Sequence, residues 1–392
     1  MHFKALALAS FVSAAAGQSL TEALESNPNL SNLTTYLNLF PDFQEQLAGM
    51  TDITLLAPSD AAFAGTLAND SLTELTANED MITSLFSYHV LNGTYSNFSI
   101  MPEFIVTALM QGPYSNVTGG QAVEVIASSN STNATVSFFS GLLQESMIIP
   151  PGSTNSSSGS GNGTTFDGGI IYVIDQFLVV PENITNTAVQ LNLRSAVGAL
   201  GAADLDTSVN GLTDVTCFIP DNEAFQAVGA TIATSSDADL ARIMQYHIVN
   251  GTVGYSSTLT NGTTLTTLNG IDVTITESDG NIFVNSARVI TPNVLVANGV
   301  IHVIDGVLNP GNMTASADPT ATSQEPAFSG ASAATDAPFT SGVTSATTSV
   351  NTEAPTSIAS AAAGTSEAKA PVQTGAIGAA ALFGGAAIMM NM

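Results

Sequence analysis

The chain has 392 residues, of which 44% are hydrophobic, and this length predicts about two domains with hydrophobic cores of their own. Its charge is strongly one-sided, with 32 Asp and Glu against five Lys and Arg. Nucleic-acid binding needs many cations that replace phosphate counterions, so this composition excludes it.

The N-terminus has the order of features that defines a secretory signal peptide. Lys4 precedes a short apolar run, and small residues follow at 14–17. A buried N-terminal helix is the alternative, but it would not explain this order. We therefore predict a signal peptide at 1–17 and an extracellular mature protein.

Residues 20–49 carry apolar side chains at intervals of three and four, interrupted by Pro28 and Pro41. This pattern predicts two or three short amphipathic helices. The apolar run 51–58 then predicts a strand ended by a proline, and Ser59 is the expected N-cap of the next helix.

Three motifs of this first half recur in the second half in the same order. The strand and helix start at 51–63 return at 213–225, and the pair Tyr88-His89 returns as Tyr246-His247. The closing run Gly169–Asp175 returns as Gly299–Asp305. The chain therefore contains one module used twice.

Each module begins with a helical pattern and ends with alternating strands, which predicts an α+β fold. The two domains are expected at 18–180 and 181–310. The first copy is longer, and a surface-loop insertion at about 150–168 accounts for much of the difference, because long loops add little closure entropy.

These motifs resemble the signatures of the fasciclin-type domain. Thr54–Phe63 and Thr216–Phe225 match its first signature, and the two Tyr-His pairs match its middle one. Val300–Pro310 matches its closing signature, and Ile170–Pro181 does so more loosely, with Tyr172 in place of the histidine. Over 18–310 the resemblance implies two tandem fasciclin-type domains. Each would be a wedge-like β-sandwich flanked by N-terminal helices, with roles in adhesion and in matrix or wall organisation.

The region after the second module is rich in Ala, Ser, Thr and Pro, and we predict a disordered stalk at 311–364. The order of a small-residue site, a polar spacer and an apolar tail then predicts attachment of a glycosylphosphatidylinositol (GPI) anchor, with loss of 365–392. Gly364 is the favoured attachment residue, with Ala363 or Ser366 as neighbours; a tail anchor or a weak helix is the alternative. The arrangement is similar to fungal and plant cell-surface fasciclin-like proteins. It predicts a wall-associated location on the outer face of the plasma membrane.

Many Asn-x-Ser/Thr sequons fit a secreted glycoprotein. The candidate N-glycosylation sites are Asn29, Asn32, Asn69, Asn92, Asn97, Asn116, Asn130, Asn133, Asn155, Asn162, Asn183, Asn250, Asn261 and Asn312. The chain has a single cysteine, Cys217, so no disulfide forms within it, and its apolar neighbours indicate a buried small hydrophobe.

Tyr88, His89, Tyr246 and His247 are the candidate binding residues, because the family links this region to adhesion. The alternative is structural: each pair packs against the sheet, and the imidazole satisfies a backbone group. No catalytic, metal-ligating or cofactor-binding residues are predicted, because no nucleophile motif, His/Cys cluster, calcium loop or phosphate-binding glycine motif is present.

The sequence therefore predicts a non-enzymatic, GPI-anchored extracellular glycoprotein that mediates adhesion or wall association. Its expected partners are surface or wall proteins and glycans, other copies of itself, and the outer membrane leaflet through the anchor. A module that binds a small apolar or glycan ligand in a helix-sheet cleft is the alternative. A hydrolase with an unrecognised pair of carboxylates is a third hypothesis.

Overall fold

A computed structural model describes residues 17–66, 79–109, 114–127, 135–150, 163–321 and 323–344. Domain 1 (18–180) begins with short helices, as the spacing of its apolar residues predicts. Its described helices are α1 (Leu20–Glu25), α2 (Ser31–Leu39), α3 (Pro41–Gly49), α4 (Asp60–Thr66) and α5 (Glu79–Tyr88), with 3₁₀ turns at Pro28–Leu30 and Gly141–Leu143.

The strands of domain 1 form two four-stranded sheets. One has the order β2-β1-β8-β7 and the other β3-β4-β5-β6. The strands are β1 (Ile53–Pro58), β2 (Val90–Asn92), β3 (Glu103–Val106), β4 (Ala122–Ala127), β5 (Val136–Phe139), β6 (Glu145–Met147), β7 (Thr164–Phe166) and β8 (Gly169–Ile174).

Domain 2 (181–310) repeats the order of helices and strands, but its strands form a single seven-stranded sheet. Its helices are α6 (Ile184–Gln190), α7 (Arg194–Ala202), α8 (Asp206–Asn210), α9 (Asn222–Ala227), α10 (Gly229–Ile232) and α11 (Asp237–Gln245). Its strands are β9 (Val215–Pro220), β10 (Ile248–Asn250), β11 (Thr264–Thr266), β12 (Asp272–Ser278), β13 (Asn281–Val284), β14 (Ala287–Val296) and β15 (Gly299–Ile304).

Each domain has the same central strand pair, in which the first strand runs parallel to the closing strand. Ile53 pairs with Gly169 in domain 1, and Val215 pairs with Gly299 in domain 2. Both strands of each pair are almost wholly buried, as expected of parallel strands covered on both faces. The motif that marks the end of each module is therefore a central core strand.

The C-terminal part of the insertion predicted at about 150–168 is regular structure. Thr164–Phe166 is strand β7, which pairs antiparallel with β8. In domain 2 the long, bulged strand β14 pairs with both β13 and β15. In domain 1 two short strands make the corresponding pairs: β6 pairs with β5, and β7 pairs with β8. The extra residues thus interrupt one strand, and the chain returns to the sheet before 168.

The expected N-caps are present. The Ser59 hydroxyl accepts a hydrogen bond from Ala62 N at 3.2 Å, and Asp221 Oδ1 accepts one from Ala224 N at 2.7 Å. Cys217 is buried with a free thiol, as predicted, and burial raises its pKa.

The described start of the predicted stalk lies against domain 2. Between 312 and 344 the described residues form turns without helices or strands, but they lie against domain 2. We call residues 323–344 the strap. Phe328 and Phe339 pack on the helical core of domain 2, and Arg194 donates two hydrogen bonds to strap carbonyls. The strap has no periodic pattern of apolar residues, and its composition therefore predicts disorder. Two isolated aromatic residues and hydrogen bonds to its backbone nevertheless hold it on domain 2. The rest of the predicted stalk and the tail lie outside the described residues.

Among the described residues, no helix has the length and apolar character that crossing a membrane requires.

Candidate functional site

The two Tyr-His pairs lie at the end of helix α5 in domain 1 and just past helix α11 in domain 2, and all four side chains are buried. His89 Nδ1 lies 2.8 Å from Leu85 O, and its Nε2 accepts a hydrogen bond from Leu178 N at 2.9 Å. Because the carbonyl can only accept, Nδ1 carries the proton, and the geometry fixes the tautomer.

His247 makes the same two bonds in domain 2. Its Nδ1 donates to Ile243 O at 2.7 Å, and its Nε2 accepts from Leu308 N at 2.9 Å. In each domain the imidazole ties the end of a helix to the segment that follows the closing strand. The geometry therefore supports the structural alternative that the sequence left open for these histidines.

The tyrosines are held in the same way. Tyr88 donates to Ala122 O at 3.0 Å, and Tyr246 donates to Asp272 O at 3.1 Å. Tyr88 thereby connects the end of helix α5 to strand β4, and Tyr246 connects the end of helix α11 to strand β12. None of the four candidate residues lies on a surface that a protein partner touches directly.

His302 in β15 is also buried. Its Nε2 donates to Gly254 O at 2.8 Å, and its Nδ1 accepts from Asn293 N at 3.4 Å. Tyr172 occupies the corresponding place in domain 1 and donates to Tyr95 O at 2.9 Å. Burial lowers the pKa of His89, His247 and His302 to about 4, although each also bonds a backbone carbonyl.

The two domains meet at a polar contact that the sequence did not predict. We call it the seam. Asn116 Nδ2 donates to Leu212 O at 2.9 Å, and Thr118 N donates to Asp214 Oδ1 at 2.7 Å. The seam also has an aromatic part, because the rings of Phe104 and Tyr255 stack with centroids 3.8 Å apart.

A carboxyl group lies buried in the seam. Glu124 is fully buried on strand β4, where its Oε1 accepts a hydrogen bond from Asn293 Nδ2 at 3.0 Å. Its Oε2 has no hydrogen-bond partner among the described residues. Burial raises the Glu124 pKa to about 7, against the lowering effect of the Asn293 amide. One signal was available in the sequence: Glu124 interrupts the otherwise apolar run 122–127.

A cleft of about 280 Å³ opens beside the seam. Apolar side chains from both domains line it, with Thr118 and Asp214 on its polar side. The apolar side chains that line it are those of Phe104, Val106, Val117, Ala122, Val253 and Tyr255. This cleft lies between the domains rather than between the helices and sheet of one domain, where the sequence hypothesis placed a ligand site.

Four acidic residues line a second cavity, of about 490 Å³, between domain 2 and the strap. Glu223 and Glu325 are exposed, whereas Asp221 and Asp305 are half-buried. Asp221 caps helix α9, and Asp305 Oδ1 accepts from Arg288 N at 2.7 Å. Burial raises the pKa of both carboxyl groups. Asp221 and Asp305 thus each accept a hydrogen bond from a backbone N–H, which is a structural role. Within the described ranges, no three His, Cys, Asp or Glu side chains converge as a metal centre requires.

The described sequon asparagines are mostly exposed, at Asn32, Asn92, Asn97, Asn116, Asn250 and Asn261, whereas Asn29, Asn183 and Asn312 are half-buried. Asn69, Asn130, Asn133, Asn155 and Asn162 lie outside the described residues, as do the signal peptide up to residue 16 and the attachment candidates Ala363, Gly364 and Ser366. Asn116 differs from the others because its amide already bonds across the seam.

The architecture defines a class: two consecutive α+β modules, each closed by a buried imidazole between a helix end and the closing segment. The Fasciclin domain family model matches residues 28–181 and 191–310. The chain therefore belongs to the fasciclin family, with two tandem fasciclin domains.

Two fungal proteins and one solved structure are among those that the chain resembles. A fasciclin-like arabinogalactan protein of Arthroderma benhamiae is 35% identical over 83% of this chain and 75% of its own length. The fasciclin-like arabinogalactan protein elcF of Phaeosphaeria nodorum is 29% identical, covering 74% of this chain and 88% of its own. A solved domain pair from the insect cell adhesion molecule fasciclin I covers 72% of this chain and 98% of its own, with 14% identity and a TM-score of 0.33.

Proposed function

We propose that this chain is a non-enzymatic extracellular glycoprotein that is held on the outer membrane leaflet by a GPI anchor and mediates adhesion or wall association. The observation that carries the proposal is its membership of the fasciclin family with two tandem domains. Proteins of this family are in general non-enzymatic cell-surface proteins, and the matched fungal relatives are named arabinogalactan proteins.

The geometry supports a binding role over a catalytic one. The buried histidines are neutral and fully hydrogen-bonded, so none is poised as an accessible base. The half-buried acids of domain 2 hold backbone groups. The signal and attachment patterns at the two ends support export and anchoring.

The proposed partners are wall or surface proteins and glycans, including other copies of this chain. A glycan and protein array probed with residues 18–344 tests this, because the strap belongs with domain 2. Selective retention of one class of wall ligand supports the proposal. An array without signal above an acidic control protein of similar charge contradicts it.

The anchor is tested separately on cells that express the full chain. Phosphatidylinositol-specific phospholipase should release the protein into the medium, and deletion of 365–392 should cause its secretion. Retention after both treatments would contradict the anchor.

A second function is favoured by one observation, the apolar cleft at the seam. A small apolar ligand of suitable size would contact both domains there and stabilise their arrangement. A thermal-shift screen with small aromatic and glycan ligands tests it, with Val106→Trp as the variant that fills the cleft. Stabilisation that persists in Val106→Trp would place the ligand elsewhere.

A further inference from the structure

The strap binds domain 2 through several specific hydrogen bonds to its backbone. Gln226 makes two of the contacts: its backbone carbonyl accepts from Ala334 N at 2.9 Å, and its Nε2 donates to Thr335 O at 2.8 Å. Arg194 Nη2 donates to Thr340 O at 2.9 Å and to Val343 O at 3.0 Å. The face formed by helices α7, α9 and α10 therefore holds the backbone of the strap.

Two glycines make room for this segment. A Cβ on Gly198 would lie 1.8 Å from Phe339 O, and a Cβ on Gly229 would lie 2.6 Å from Ala334 Cβ. Gly201, on the same helix as Gly198, has open space around it. The strap can therefore contact domain 2 this closely only because Gly198 and Gly229 have no side chain.

Comparison of the two domains shows what the strap replaces. In domain 1 the backbone N–H of Asn32 donates to Asp60, and in domain 2 that of Ser195 donates to Asn222. This correspondence aligns Tyr36 with Ala199, because each lies four residues further along its helix.

Tyr36 stacks on Phe63 with ring centroids 5.1 Å apart. The equivalent helix of domain 2 offers only the methyl group of Ala199 beside Phe225. Phe339 of the strap supplies the missing ring, edge-on to Phe225 at 6.4 Å. Domain 1 thus carries its own aromatic cover, whereas domain 2 receives it from outside the module.

The strap is also poorly suited to remain bound permanently. It has no helix or strand, and Phe339 adopts φ +62°, a left-handed conformation that an aromatic residue rarely takes. The matched fasciclin module ends at residue 310, so the strap lies outside it.

We propose that the α7–α9–α10 face of domain 2 is a recognition groove for a phenylalanine-bearing segment without helix or strand. The strap fills the groove within one chain, and the strap of a second copy can replace it. Every copy carries both halves of this interaction, so exchange of straps would link neighbouring copies, as in domain swapping.

A fluorescent peptide of residues 323–344, standing in for the strap of a second copy, tests the groove by anisotropy with the full mature chain. The peptide should bind a Phe339→Ala chain at least about tenfold more tightly than the wild-type chain, because the intact strap competes at a high effective concentration. Adding Gly198→Ala to that chain should abolish binding, and adding Gly201→Ala should leave it unchanged. A peptide with Phe339→Ala should bind neither chain.

Equal binding of the peptide to all chains, or no binding to the Phe339→Ala chain, would overturn the proposal. Loss of the folded domain 2 in Phe339→Ala would also overturn it, because the strap would then be part of the fold. Should Gly198→Ala itself fail to fold, Arg194→Gln takes its place, and unchanged peptide affinity in that variant counts against the groove.

Discussion

At the scale of single residues, buried titratable groups make the stability of this protein depend on pH. Three histidines remain neutral inside the fold, and one glutamate is enclosed between the domains. Their shifts have opposite consequences, because burial lowers the pKa of an imidazole and raises that of a carboxyl group.

We predict that acid destabilises each domain through its histidines. The pKa of His89 or His247 is about 4 in the folded state and 6.5 at its ordinary value. Stability is therefore fully present above pH 6.5 and is lost as the pH falls toward 4, by up to about 3 kcal/mol for each histidine. Urea unfolding between pH 7.5 and 4 measures this. In His89→Phe the curve should start lower and fall less steeply, and an unchanged slope would contradict the assignment.

For Glu124 in the seam we expect the opposite dependence, with stability decreasing as the pH rises. The Glu124 pKa is raised from 4.5 to about 7, so burial of the carboxylate costs nothing at pH 4 and up to about 3 kcal/mol above pH 7. Glu124→Gln should therefore stabilise the protein at pH 8 and change little at pH 4, in calorimetry at both values. Glu103→Gln, on the exposed face of neighbouring β3, is the control. A glutamine variant that is less stable at pH 8 would show that the carboxylate is compensated by groups other than Asn293.

At the scale of elements, the closing strands β8 and β15 depend on the glycine at their start. A Cβ on Gly299 would lie 1.9 Å from Val215 O, and one on Gly169 would lie 1.9 Å from Ile53 O. The parallel partner strand passes too closely for any side chain.

We expect Gly299→Ala to destabilise domain 2 by about 3 kcal/mol, at the upper end of what overpacking costs, and Gly169→Ala to do the same in domain 1. Gly49→Ala is the control, because its added methyl group meets nothing within 4 Å. Chemical denaturation followed by domain-specific probes separates the two effects. Equal loss of stability in all three variants would contradict the role of the close strand contact.

Features that depend on local sequence could be predicted, whereas contacts between distant residues could not. Repetition of motifs gave the two modules, because core strands and helix caps depend on local residue types such as Ser59 and Asp221. The contact partners of His89 could not be predicted, since Leu85 and Leu178 meet it only after the helix and the closing segment pack. The seam and the strap were missed for the same reason: Asn293 and Phe339 contact residues far away in the chain, and neither sits in a periodic pattern.

At the scale of the whole molecule, the formal charge of −27 dominates encounters between copies. Arg288 lies near Asp305, and Arg194 is used by the strap, so the basic groups of domain 2 hardly offset this charge. Copies should repel each other at neutral pH and associate more readily as carboxylates become protonated toward pH 4. Static light scattering at low salt measures this. Association that weakens or stays constant with falling pH would contradict it.

The central claim is that the folded two-domain unit itself mediates adhesion. The most direct measurement is the force or flow needed to detach beads that carry residues 18–344 from cells or isolated walls. We predict retention well above that of beads coated with an acidic control protein, and its loss when the coated protein is heat-denatured before the assay so that both domains are unfolded. Retention equal to that control, or retention that survives disruption of both domains, would contradict the claim.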